Sequence, residues 1–115
     1  MRIADYDVLS MEHHEILSGF IRLHILHHAA EEEIYGQWMM EELAHHGYRM
    51  SPGTLYPMLH ALEKKGYLTS REEQHGRTFR KLYRATDMGR DALRIGREKL
   101  RELFREVGDR PSQGS

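Results

Sequence analysis

Between Gly47 and Pro52 the chain ends one helix and begins another. Gly47 is a natural residue for the positive φ that closes a helix C-terminus. Ser51 followed by Pro52 sets an N-cap before a proline at the first helical position, where the missing N–H is harmless. Only Tyr48, Arg49 and Met50 remain for the turn. Upstream, Tyr35 to Gly47 reads as a helix with Met39, Met40 and Leu43 inward; downstream, Leu55, Met58, Leu59 and Leu62 recur at helical spacing until Gly66. Two short helices about so tight a turn make a helix-turn-helix.

The flanking segments fill in the rest. From Glu15 to Ala30 a helix carries one apolar stripe at Ile16, Phe20, Leu23, His27 and Ala30, and a second at Leu17, Ile21, His24 and His28. Only the sector around Ser18 and Arg22 is clearly polar, so this helix is expected to bury two faces, one in its own core and one elsewhere. His27, in the main stripe, is expected to be a hydrogen-bonded core residue. After Gly66 the period changes: Tyr67 to Glu73 and Thr78 to Ala85 read as strands around a Gln74-His75-Gly76-Arg77 turn, a hairpin with a basic tip. Thr86 and Asp87 then open a last helix in which Ala92, Leu93, Gly96, Leu100, Leu103, Phe104 and Val107 recur at coiled-coil-like spacing.

The expected fold is mainly α with a small β-hairpin, a winged helix-turn-helix with N- and C-terminal dimerisation helices. Residues 1–85 form the first helix and the winged unit, and 86–115 the dimerisation helix and a frayed tail, in one compact domain overall. Order is expected from about Leu9 to Val107. Ile16, Phe20, Leu93, Leu100, Leu103, Phe104 and Val107 are the expected pairing residues of a homodimer.

A length of 115 residues suits one domain. The absence of cysteine excludes disulfides, thiolate zinc fingers and cysteine nucleophiles, and accords with a reducing compartment. No apolar run approaches the ~20 residues of a membrane span, and the start lacks a signal peptide's basic and apolar blocks, so a cytoplasmic protein without a membrane partner is expected. The net charge of −1 conceals a strong segmentation. Residues 1–48 hold two bases against nine acids, a balance of −7; residues 49–84 hold eight against three, a balance of +5; the remainder contributes +1. Only the middle is built to meet an anion.

In a helix-turn-helix the N-terminal part of the second helix meets the major groove. Outside the Leu55, Met58, Leu59, Leu62 stripe lie Ser51, Gly53, Thr54, Tyr56, Pro57 and His60, with Arg49 before them and Lys64 after. Gly53 leaves the backbone bare for close approach, and the Ser51 and Thr54 hydroxyls and terminal N–H groups suit phosphate oxygens. Pro57 lacks the N–H that bonds the Gly53 carbonyl, so a slight kink or a loosened first turn is expected. In the hairpin, Arg77, Thr78, Arg80 and Lys81 are further DNA-facing candidates, Arg77 at the tip foremost. The competing role for Arg80 and Arg84 is cross-strand pairing with Glu72 and Glu73.

Tyr35-Gly36, the run Ser51-Pro52-Gly53-Thr54-Leu55-Tyr56-Pro57-Met58-Leu59-His60-Ala61-Leu62-Glu63-Lys64-Lys65-Gly66-Tyr67-Leu68, Gly76-Arg77, Lys81-Leu82-Tyr83-Arg84-Ala85-Thr86 and Gly89 together resemble the PadR family of transcriptional regulators. The resemblance runs from about Leu23 to Leu93. It implies a homodimeric repressor of detoxification, efflux or stress genes that binds double-stranded operator DNA and responds to a small ligand. The short C-terminal helix looks like the compact branch of that family. Two positions depart from its usual pattern: Phe79, where the wing commonly has a basic or small polar residue, and His60, where a permanently charged one is commoner.

Nine histidines invite a second reading. His24 and His28 stand at i, i+4 on one helical face, a spacing that holds a divalent metal, with Glu31, Glu32, His13 or His14 to complete the set. That pair makes a metal-responsive repressor, with Zn²⁺ or Cd²⁺ as effector rather than required cofactor, the alternative to a small-molecule effector. His45 and His46 near a helix C-terminus also suit the macrodipole alone. An enzyme is not expected. His14-Glu15-Ile16-Leu17-Ser18 begins like a zinc-protease helix but has Ser18 in place of the second histidine, and there is no phosphate-binding glycine loop. A third possibility is a small-molecule-binding interaction module without tight DNA binding, its cavity lined by Phe20, Trp38, Leu93, Ile95 and Met88.

Overall fold

The change of hydrophobic period at Gly66 is where helices give way to sheet. The computed structural model describes residues 13–108, so the ordered start expected at Leu9 lies outside the described residues. Helix α1 spans His14–Glu31, strand β1 Ile34–Tyr35, α2 Gly36–His45, α3 Pro52–Lys64, β2 Leu68–His75, β3 Thr78–Ala85 and α4 Asp87–Leu103, ending in a π-helical turn at Phe104–Gly108. The three strands form one antiparallel sheet in the order β1-β3-β2. Mainly helical with a small sheet, this is the winged-helix class expected, with one addition. Strand β1, unforeseen, pairs Ile34 with Tyr83 and Tyr35 with Leu82, and turns the hairpin into a three-stranded sheet. Two residues are too few to show a strand's alternation.

Both helix stops expected at glycine are Schellman motifs. At Gly47, with φ of 90°, its N–H bonds the Ala44 carbonyl and the Tyr48 N–H bonds the Leu43 carbonyl at 2.9 Å. Gly66 repeats the pattern with the carbonyls of Glu63 and Leu62. Ser51 is the N-cap of α3 through its backbone: its carbonyl accepts from the N–H groups of Thr54 and Leu55, while its hydroxyl does not close the cap. Pro57 sits inside α3 without ending it.

The core lies where α1, α2, α3 and the sheet meet, and holds Ile25, Leu55, Leu59, Met39, Leu43, Leu68 and Tyr83, all essentially sealed from solvent. Helix α1 enters it on Ile21, Ile25, Leu26 and Ala29, a different face from the main stripe drawn from the sequence. Ile16, first in that stripe, is 74% exposed, and His27 stands at the surface rather than in the core. The cause is an apolar circumference so nearly complete that periodicity cannot select the inward side.

Helix α4 lies against α1. Its N-cap Thr86 donates its hydroxyl proton to the Gly66 carbonyl at 2.6 Å and accepts from the Gly89 N–H at 3.0 Å. A Cβ at Gly89 would lie 2.1 Å from the Tyr67 carbonyl oxygen, so only glycine permits this approach. Arg90 donates to the Ala30 carbonyl near the end of α1. Leu93, counted among the pairing residues from the sequence, is only 6% exposed and belongs to the chain's own core.

Candidate nucleic-acid interface

Helix α3 divides cleanly. Leu55, Met58, Leu59 and Leu62 are buried, and Ser51, Gly53, Thr54, Tyr56, Pro57, His60 and Lys64 are all exposed, with Arg49 exposed on the turn before them. The Ser51 and Thr54 hydroxyls stand 3.4 Å apart at the helix start, two polar groups beside the positive end of the helix dipole. Tyr56 leans over Gly36, the first residue of α2.

The wing is a two-residue hairpin. Gly76 takes φ of 64° at the first loop position, with Arg77 second, and His75 pairs with Thr78 across the loop. Arg77 and Thr78 are exposed at this tip, where the Thr78 hydroxyl donates to the His75 carbonyl at 3.0 Å. Lower down, Arg80 lies opposite Glu73 and Lys81 opposite Glu72, and both bases are half-buried. Arg80 stacks its guanidinium 4.6 Å from the centroid of the Tyr35 ring. The Tyr35 hydroxyl donates to Glu73 at 2.6 Å, which holds the phenol above its ordinary pKa. Arg71, on β2, makes two 2.8 Å hydrogen bonds to Glu33, and these hold the Glu33 carboxyl below its ordinary range.

Between α3 and β3 lies a cleft of about 310 Å³ whose walls include Tyr35, Tyr56, His60, Phe79, Arg80 and Lys81. Phe79 is 65% exposed there. Recognition-helix and wing candidates therefore share one face. The residue that joins them, Tyr35, was not among the sequence candidates; its signal was the Tyr35-Gly36 pair.

A second surface is apolar. Phe20, Leu100, Leu103, Phe104 and Val107 line a shallow hollow of about 430 Å³ with Arg101, and Ile16 is exposed on the same helix as Phe20. The residues named for an interaction-module cavity do not converge. Phe20 and Leu93 line a hollow between α1 and α4, Trp38 stands beside His28, and Met88 and Ile95 are exposed elsewhere on α4.

The histidine pair of α1 gains partners from α2. His24, His28 and His46 bring ligating atoms within 4.8 Å of one another. Glu42 Oε2 lies 3.4 Å from His28 Nε2 and 3.2 Å from His46 Nε2. Burial, then the nearby His46, His28 and His27, lowers the His24 pKa, and burial foremost lowers that of His28. Glu31, expected to complete the set, instead groups with His27 and His28. Arg97 approaches His27 Nδ1 at 2.9 Å.

Residues 25–95 match the model of the transcriptional regulator PadR-like family. The chain belongs to that family. It is 55% identical over 93 residues to the transcriptional regulator Rv3488 of Mycobacterium tuberculosis, covering 81% of this chain and 87% of that protein. A PadR-family transcriptional regulator from Eggerthella lenta superposes with a TM-score of 0.75 at 32% identity, over 94% of this chain and 96% of the other. A PadR-like regulator from Bacillus cereus gives 0.74 at 26% identity, over 83% and 94%. This PadR-like chain is thus a transcriptional regulator, not an enzyme, and its partner class is DNA. No helix among its described residues is long and apolar enough to cross a membrane.

Proposed function

We propose that the protein is a homodimeric, effector-responsive repressor that holds double-stranded operator DNA with α3 and the wing, in the cytoplasm where that DNA lies. The observation that carries this reading is the coincidence of exposed α3 with the basic wing on one face, while the exposed apolar surface lies on α1 and α4. Ser51, Gly53, Thr54, Tyr56, Pro57 and His60 enter the major groove, and Arg49, Lys64, Arg77, Thr78, Arg80 and Lys81 meet phosphates or the adjacent minor groove. Phe79 extends this contact with an apolar ring against the sugar edge, and His60 adds an imidazole that can donate or accept a hydrogen bond.

One such module offers few base-reading side chains, and two related by a twofold axis read half-sites about one helical turn apart. Ile16, Phe20, Leu100, Leu103, Phe104 and Val107 supply the surface for that pairing. The hollow of about 240 Å³ between α1 and α4, walled by Leu23, Tyr48 and Leu93 among others, suits a small apolar effector. Family resemblance supports detoxification, efflux or stress genes as targets. The test is a gel shift on the DNA upstream of the protein's own gene: retention that falls steeply between 50 and 200 mM salt, on the order of 10³-fold for six phosphate contacts, is expected. Absence of retention at low salt on that DNA and on a library of random duplexes refutes the reading.

A further inference from the structure

His24 and His28 are one turn apart on α1, and Glu42 and His46 are one turn apart at the end of α2, so two i, i+4 pairs on different helices face each other. The three imidazoles bring ligating atoms within 4.8 Å, and the Nε2 atoms of His28 and His46 converge on the same Glu42 oxygen at 3.4 and 3.2 Å. A tetrahedral zinc shell with bonds of about 2.0–2.1 Å has ligand-to-ligand edges of roughly 3.4 Å. Two edges of such a shell therefore already have their length, and the His24 ring, its centroid 4.7 Å from that of His46, stands beside the fourth corner. Aromatic walls stand on either side, with Tyr48 edge-on to His24 at 5.5 Å and Trp38 edge-on to His28 at 5.2 Å.

We propose that His24, His28, Glu42 and His46 form a binding site for a divalent cation of the zinc class that clamps α1 to α2. Three nitrogens and one carboxylate oxygen suit Zn²⁺, or Cd²⁺ as its larger analogue, and disfavour Mg²⁺ and Ca²⁺, which require oxygen. The placement gives the cation a consequence. Helix α2 is the first helix of the helix-turn-helix, and α1 carries Ile16 and Phe20 of the apolar surface, so the cation fixes the angle between the reading unit and the pairing unit. This regulatory half rests on the proposed function; the site itself does not.

The direct test uses the full chain without a histidine tag, stripped with a chelator. Titration with Zn²⁺ gives one equivalent bound per chain at micromolar protein, and titration with Co²⁺ gives the intense visible bands of a tetrahedral site together with quenching of Trp38, the chain's only tryptophan. His46→Gln and His28→Gln each weaken binding on the order of 10- to 100-fold, whereas His45→Gln, an exposed neighbour outside the cluster, leaves it unchanged. Thermal melting of each variant without metal checks folding. No heat with Zn²⁺, or affinity that survives His46→Gln and falls with His27→Gln, overturns the site; the latter places the cation on the His27, His28 and Glu31 group. Gel shifts with and without Zn²⁺ then separate the two claims. Zn²⁺ bound at the site with operator retention unchanged overturns the clamp's regulatory role, while absence of retention in both conditions counts against the DNA reading alone.

Discussion

The Tyr56 ring lies across Gly36 so closely that a Cβ there would stand 2.6 Å from its Cε1 atom. A residue of the first helix of the helix-turn-helix thus sets where an outward aromatic of the second can rest. In Gly36→Ala the ring, already partly exposed, swings outward, and the stability loss stays within about 1–2 kcal/mol because the obstacle is a movable side chain. Operator affinity falls severalfold through the displaced phenol. Urea unfolding and gel shifts on the same variant check this, and an unchanged gel shift refutes it.

Arg77 occupies the wing tip beside Gly76. Arg77→Ala weakens binding almost equally on all sequences and reduces the slope of log K against log salt by about 1, the signature of one lost phosphate contact. A loss confined to one operator sequence would instead make Arg77 a base reader.

Thr86 serves two backbone groups at once, the Gly66 carbonyl and the Gly89 N–H. Thr86→Val keeps the shape and removes both hydrogen bonds, at a cost of about 1–2 kcal/mol. The urea midpoint drops while the slope of the transition stays constant.

Leu93 and Phe104 stand on one helical stretch with opposite duties. Leu93→Ala opens a cavity in the core and costs about 2–5 kcal/mol. Phe104→Glu combined with Val107→Glu leaves the fold intact and yields a monomer in sedimentation, since both side chains are exposed. A dimer that persists in the double variant refutes the pairing surface. Removal of residues 87–115 takes Leu93 and the Gly89 contact away together, and leaves a chain that neither folds stably nor binds operator.

Glu33 titrates below its ordinary value because Arg71 donates two hydrogen bonds to it. The folded carboxyl holds its proton less tightly than the unfolded one, whose reference value is 4.5, so this contribution is complete above that pH. It is lost as the pH falls through the lower, folded value. Glu33→Gln therefore has a flatter acid limb in stability against pH than the parent; parallel curves would show the pair to be inert.

Much of this was written locally. Gly47, Ser51-Pro52 and Gly66 mark helix ends by backbone chemistry that needs no tertiary partner, and the hairpin follows from Gly76-Arg77 between alternating segments. The inward face of α1 was not legible, because a helix apolar on nearly every side is oriented by what surrounds it; Ile21 and Ile25 meet the core, while Ile16 and Phe20, named as pairing residues, stand exposed. Strand β1 was hidden by brevity, and with it the stacking of Tyr35 under Arg80. Likewise the spacing of His24 and His28 is visible along one helix, but their meeting with Glu42 and His46 depends on how two helices cross.

Strand β1 ties the start of α2 to the inner strand of the wing through the pairs Ile34 with Tyr83 and Tyr35 with Leu82. Because α2 in turn packs against α3, the wing and the proposed reading helix are set as the two jaws of one calliper. On the proposed DNA-binding mode, a duplex whose grooves match the jaw spacing is gripped without distortion and one that does not must bend or twist to fit, so that base pairs no side chain touches influence which operators are held.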